Sequence, residues 1–71
     1  MNELLEQIGH ALYGQLWQSA LARDLDVADR TVRRWLSGQS AMPQGALDEL
    51  RALCLKRSSE LANLAGRIDP P

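Results

Sequence analysis

The sequence predicts a small all-α domain of four or five helices, and three observations support this fold class. Leu and Ala dominate the hydrophobic residues, which make up 45% of the chain, and Phe is absent. Residues branched at Cβ, which favour strands, number only five. Apolar side chains recur at spacings of three and four residues, as on one face of a helix. The 71 residues fit one compact domain, 1–71, near the lower size limit for a core without disulfides or metals.

The N-terminal segment is predicted as the first helix. Leu4, Ile8 and Ala11 are separated by four and three residues, so they form one apolar stripe. Gly14 then offers a natural end, because glycine readily adopts the left-handed conformation that closes many helices. We therefore expect a helix that stops just before Gly14.

The next segment is predicted to contain two short helices, at about Gln18–Leu25 and Asp29–Ser37. Asp26 and Val27 form a tight connection between them. An advance of about 100° per residue divides the third helix into two faces. The apolar face carries Val32, Trp35 and Leu36. The opposite face carries Arg30, Arg34 and Ser37, with Arg33 at its edge. Gly38 is expected to end this helix as a left-handed cap.

The C-terminal part predicts a long helix from Pro43 to about residue 66, roughly 34 Å in length at about 1.5 Å per residue. Proline suits the first turn of a helix. Apolar side chains repeat every seven residues, at Leu47, Cys54, Leu61 and Ile68. Two alternatives remain open. The helix is either unbroken or bends near Arg57, where the following serines could cap a separate short helix.

The spacing of five residues in the two short helices favours a helix-turn-helix. Ala22 is small where two helices must cross closely, and Asp26 tolerates the positive φ that the turn requires. Val27 fills the space beneath the turn. Val32 and Trp35 anchor the third helix against the domain, which leaves its other face to solvent. Ala22, Val27, Val32 and Trp35 are therefore the predicted core of the motif.

Residues 18–38 resemble the helix-turn-helix of the Cro/CI phage-repressor class, also called the xenobiotic-response-element family. That family has Gln at the start of its second helix, Leu-Ala within it, and a Thr-Val or Thr-Ile pair followed by Trp and a final Gly. The matching positions are Gln18, Leu21, Ala22, Val27, Thr31, Val32, Trp35 and Gly38. The motif covers 21 of the 71 residues. The resemblance implies a lambda-repressor-like domain that binds DNA.

Three positions depart from the family pattern. Asp26 stands where Gly is usual, Ala28 replaces the Ser or Thr that caps the third helix, and Trp17 replaces another capping residue. Aspartate visits the left-handed region more readily than most residues, so the first change costs little. These departures affect the geometry of the turn and remove no group expected to contact DNA.

The resemblance implies that the third helix, 29–37, enters the major groove of double-stranded DNA. Arg30 and Arg34 are then the best candidates for base contacts, since arginine can donate two hydrogen bonds to guanine O6 and N7. Asp29 can accept from cytosine N4, or instead cap the helix and orient Arg33. Contacts to the DNA backbone are expected from Gln18, Thr31, Arg33, Ser37 and Gln39. The plainer alternative is that the arginines are merely solvated.

The resemblance implies a bacterial or phage transcriptional regulator, and we expect a repressor that acts by occlusion. Net charge argues mildly against DNA binding, because eight basic and nine acidic residues give −1. The clustered arginines of the third helix argue for it. The alternative is a helical protein-interaction module, such as an antitoxin or an adaptor, on the same scaffold.

The apolar stripe of the last helix predicts either a frayed end or a dimer interface. Leu61, Leu64 and Ile68 are the candidates to pair with a second copy of the chain. A two-fold dimer would match palindromic half-sites about one helical turn apart. Arg57 lies within the stripe and argues against a long coiled coil.

The sequence offers no candidate residues for catalysis, and we expect neither enzyme activity nor a cofactor or metal. Its one cysteine, Cys54, and its one histidine, His10, have no further ligand at metal-binding spacing. No glycine-rich phosphate loop is present. No apolar run approaches the roughly 18 residues of a membrane span, and no signal-peptide pattern opens the chain. We therefore expect a cytoplasmic protein without a membrane partner.

Overall fold

The computed structural model describes residues 2–68, which form four helices. They are α1 (Asn2–Tyr13), α2 (Trp17–Asp24), α3 (Asp29–Ser37) and α4 (Gln44–Ile68). The described residues contain no strand, so the predicted all-α fold class is confirmed, with four helices. The bounds of α3 are those predicted, whereas α2 begins and ends one residue earlier than predicted.

All four helices contribute to a single hydrophobic core. Leu5 of α1, Leu21 of α2 and Val32 of α3 are fully buried at its centre. Removing each such side chain from water contributes roughly 1.5–3 kcal/mol to stability. The complete set of buried apolar residues is Leu5, Leu12, Trp17, Leu21, Ala22, Leu25, Val32, Trp35, Met42 and Leu50. Residues 18–38 supply five of these ten side chains, so α2 and α3 are held by tertiary packing.

The backbone of α1 approaches Trp17 so closely that only glycine fits at position 9. The Trp17 side chain is 2% exposed, and its ring lies over Gly9. A Cβ atom built on Gly9 would lie 2.8 Å from Trp17 Cγ and nearer still to two other ring atoms. Gly9 therefore allows α1 and α2 to pack at close range.

The turn between α2 and α3 is closed by the two hydrogen bonds of a Schellman motif. Val27 N–H donates to the Ala22 carbonyl at 2.9 Å, and Asp26 N–H donates to the Arg23 carbonyl at 3.2 Å. Asp26 occupies the left-handed position with φ 57°. The predicted role of Asp26 as the residue with positive φ is confirmed, and the predicted left-handed cap at Gly38 is too, with φ 86°.

The last helix, α4, is unbroken over 25 residues, so the chain does not adopt the alternative with a bend near Arg57. It begins at Gln44 rather than at Pro43, whose carbonyl accepts the Leu47 N–H at 3.1 Å. Its first half packs on the core through buried Leu50. Residues 58–68 are exposed throughout.

Arg57 marks the point where α4 leaves the core. Its Nη1 donates at 2.7 Å to the carbonyl of Leu12, which lies in the last turn of α1, where carbonyls lack helical partners. Its Nε lies 3.6 Å from Glu60 Oε1. Beyond this anchor α4 projects from the other helices, and the described chain measures 52 × 23 × 20 Å. The compact shape expected from the sequence holds for the packed helices, and eleven residues, 58–68, extend past them.

Candidate nucleic-acid interface

Helix α3 has an apolar face on the core and a basic face in solvent. Val32 is fully buried and Trp35 is 6% exposed, so these two side chains set the orientation of the helix. Arg30, Arg33 and Arg34 are all exposed. Of the other predicted motif residues, Ala22 is buried and Val27 is half-buried. The three arginines therefore lie on a helix that is rigidly fixed from behind.

Within the described part of the chain, no carboxylate pairs with the arginines of α3. Among residues 3–68, the one ion pair joins Arg57 and Glu60 of α4. Arg30 and Arg34 are four residues apart on a helix, which brings their Cβ atoms within about 5–6 Å of each other. Their guanidinium groups can each donate two parallel hydrogen bonds to a planar acceptor. This pair can therefore present two such donor groups on the same side of α3.

Asp29, a predicted base contact, is linked to α2 by a hydrogen bond. Ser19 Oγ donates to Asp29 Oδ2 at 2.9 Å, so the first turn of α3 is tied to the first turn of α2. No side chain caps α3, whose N-cap residue is Ala28. The alternative in which Asp29 caps α3 is therefore not adopted. Because Asp29 remains exposed, its second oxygen is accessible to a partner.

The N-terminus of α2 leaves backbone N–H donors without a side-chain cap. No side chain caps this helix at Leu16, and the first N–H groups of any helix lack intrahelical acceptors. Gln18, the predicted phosphate contact, is the second residue of α2 and is half-buried. Its backbone N–H is one of these unpaired groups, and the positive end of the helix dipole favours an anion nearby.

The remaining predicted backbone contacts differ in what their side chains can offer. Ser37 Oγ donates to the Arg34 carbonyl at 3.2 Å, so its one proton is used within α3. Thr31 is half-buried on the flank of the helix. Arg33 and Gln39 are exposed and have no side-chain hydrogen bond in the described part of the chain. Arg33 and Gln39 are thus better placed than Ser37 to donate to a phosphate.

A hydrogen bond that the sequence reading did not identify connects α1 to the end of α2. The Tyr13 hydroxyl donates to Asp24 Oδ2 at 2.5 Å. Burial of the phenol, together with this bond to a carboxylate, raises the pKa of Tyr13 to about 12. Two of the three aspartates in residues 18–38 therefore accept a hydrogen bond from a hydroxyl group, while all four arginines of that segment are exposed.

Two other kinds of site were predicted to be absent, a metal site and a membrane span. No group of three or more His, Cys, Asp or Glu side chains between residues 2 and 68 is arranged to hold a metal ion. None of the four helices combines the length and apolar character required to cross a bilayer. His10 instead lies near the indole of Trp17, with ring centroids 6.1 Å apart.

Comparison with known proteins does not assign this chain to a family. No protein-family model matches the sequence, and no curated protein and no solved structure shows significant similarity to it.

Proposed function

We propose that this protein binds double-stranded DNA sequence-specifically and regulates transcription in the cytoplasm, with α3 as the recognition helix. The observation that carries the proposal is a helix held from behind by Val32 and Trp35, whose three exposed arginines pair with no carboxylate of residues 3–68. A helix of about 10–12 Å diameter fits the major groove, which is about 12 Å wide. The family resemblance of residues 18–38 supports the same orientation.

Arg30 and Arg34 are proposed to read bases. Both lie on the exposed face of α3, one helical turn apart, so they can reach neighbouring base pairs on one side of the groove. Arginine binds guanine O6 and N7 with two hydrogen bonds, and each good pair of this kind contributes roughly 1–3 kcal/mol of discrimination. Asp29 is proposed to accept from cytosine N4 with the oxygen that Ser19 leaves unoccupied.

Contacts to the phosphates are proposed to position α3 in the groove. The backbone N–H of Gln18 and the side chains of Arg33 and Gln39 are the principal donors, with Thr31 and Ser37 at the margin. Residues 18–38 contain four arginines and three aspartates, a net charge of +1. The electrostatic contribution to DNA binding is therefore modest. We propose that the bound protein represses transcription by occupying the operator.

A salt titration of DNA binding tests this proposal, after selection of a bound sequence from random duplexes. The logarithm of affinity should fall with the logarithm of salt concentration, at a slope of about −0.9 per phosphate contacted. Arg30→Ala or Arg34→Ala should weaken binding to the selected site by roughly 5- to 150-fold, equivalent to about 1–3 kcal/mol. Lys56→Ala on α4 removes the same charge away from α3 and should change affinity little.

The alternative is a protein-interaction module on the same scaffold, such as an antitoxin or an adaptor. The exposed leucines of α4 are the observation that favours it, since Leu61 and Leu64 are each more than half exposed. An interaction module would show no salt-sensitive binding to any duplex. The Arg34→Ala and Lys56→Ala variants of such a module would also not differ in their affinity for DNA. Either result would contradict the DNA-binding proposal.

A further inference from the structure

The projecting part of α4, residues 58–68, carries an apolar ridge whose side chains are all exposed. The ridge consists of Leu61, Leu64, Ala65 and Ile68, at positions i, i+3, i+4 and i+7. Leu61 is 57% exposed, Leu64 is 52% exposed and Ile68 is 78% exposed. This spacing is the one by which a helix places its apolar face into a groove.

An apolar groove of about 480 Å³ lies between α1 and α4. Its apolar lining residues are Leu4, Ile8, Ala11, Leu12, Cys54 and Leu61. Leu61 therefore belongs to both the groove and the ridge, so the two surfaces are continuous. From Leu4 to Ala11 the groove follows α1 for seven residues, about 10.5 Å, the same length as the ridge from Leu61 to Ile68.

The two walls of the groove run in the same direction. The N-terminal part of α1 lies beside the first turns of α4, because Leu4 lines a surface pocket together with Leu47 and Leu50. The C-terminal end of α1 lies beside the middle of α4, since the Leu12 carbonyl accepts from Arg57. The ridge extends away from this groove along a straight helix, so it cannot fill the groove of its own chain.

We propose that a second copy of this chain fills the groove with its ridge, with the two α4 helices antiparallel about a two-fold axis near Ser58. Both surfaces are present on every copy, so one two-fold operation covers both grooves and both ridges at once. Ser58 is small and lies on the groove wall, which allows the two helices to cross closely there. The sequence predicted only that the α4 stripes pair, whereas this arrangement makes α1 half of the interface.

Charge distribution selects the antiparallel orientation. In this orientation the C-terminus of the partner's α4 approaches the N-terminus of α1, so helix dipole ends of opposite sign meet. Arg67 in the last turn of α4 is then brought towards Glu3 in the first turn of α1. The parallel orientation would instead place Arg67 at the end of α1 that already holds Arg57.

Sedimentation equilibrium of the full chain tests the pairing, with variants on each surface. Leu61→Glu on the ridge and Ala11→Glu in the groove should each weaken dimerisation by about tenfold or more, because an apolar contact is replaced by a buried charge. Leu16→Glu is the matched control, since Leu16 is 88% exposed and lies between α1 and α2, outside both surfaces. Unchanged thermal unfolding of the variants would show that the fold is intact.

A charge exchange tests the orientation separately. Arg67→Glu should weaken the dimer by about fivefold, since two exposed ion pairs are lost in each dimer, and Glu3→Lys in the same chain should restore it. A wild-type protein that stays monomeric at high micromolar concentration would overturn the proposal. A dimer insensitive to Ala11→Glu would also overturn it, since the groove would then be unoccupied. None of these readouts involves DNA, so their failure is distinguishable from failure of the DNA-binding proposal.

Discussion

The contact between Gly9 and Trp17 predicts that Gly9→Ala destabilises the protein although alanine is the better helix former. In the interior of a helix, glycine to alanine ordinarily stabilises by roughly 0.5–1 kcal/mol. Here the added methyl would overlap three ring atoms of a side chain that is 2% exposed, and the rest of the core holds that ring in place. Overpacking of a core typically costs about 1–3 kcal/mol, and more where nothing can move.

The clash therefore outweighs the gain in helix propensity, and we expect a net loss of about 1–2 kcal/mol. For a domain of this size each kcal/mol shifts Tm by about 4–8 °C, so Tm should fall by about 4–16 °C. Gly45→Ala is the matched control, because a Cβ at Gly45 meets no atom within 4 Å. That variant should raise Tm by a few degrees.

Thermal and urea unfolding followed by circular dichroism measures both variants under the same conditions. Indole fluorescence reports the packing of the two tryptophans, Trp17 and Trp35, together. A Gly9→Ala protein at least as stable as wild type, beside a stabilised Gly45→Ala protein, would show that α1 and α2 are not packed at this distance.

Two further predictions concern the turn and the half-buried phenol of Tyr13. Asp26→Gly should raise the free energy of unfolding by about 0.5 kcal/mol and Asp26→Ala should lower it by about 1 kcal/mol, because φ at this residue is positive. The urea midpoint should therefore be highest for Asp26→Gly, lower for the wild type and lowest for Asp26→Ala. The pKa of Tyr13 is raised to about 12 from the ordinary tyrosine value of 10.0. The hydrogen bond to Asp24 therefore makes its full contribution to stability below pH 10.0, and this contribution is lost as pH rises through about 12. Absorbance titration follows this residue alone, since it is the one tyrosine, and Tyr13→Phe should abolish the loss of stability across that window.

Local features of the fold followed from the sequence because they depend on neighbours within one or two helical turns. The bounds of α3, the positive φ of Asp26 and the left-handed Gly38 are of this kind. The division of α3 into a buried and an exposed face also follows from a period of 3.6 residues. The arginines proposed to contact DNA could therefore be chosen before the structure was known.

Only the tertiary structure decided which distant residues meet, because these contacts join positions whose spacing carries no periodic signal. Gly9 beneath Trp17, Ser19 on Asp29 and Arg57 on the Leu12 carbonyl are examples. The continuous course of α4 is a further example. The serines that follow Arg57 are a local signal for a new helix, but α4 continues through them, with Arg57 fastened to the end of α1. The sequence thus determined the helices and their faces, while tertiary packing determined that the last eleven described residues project beside an open groove.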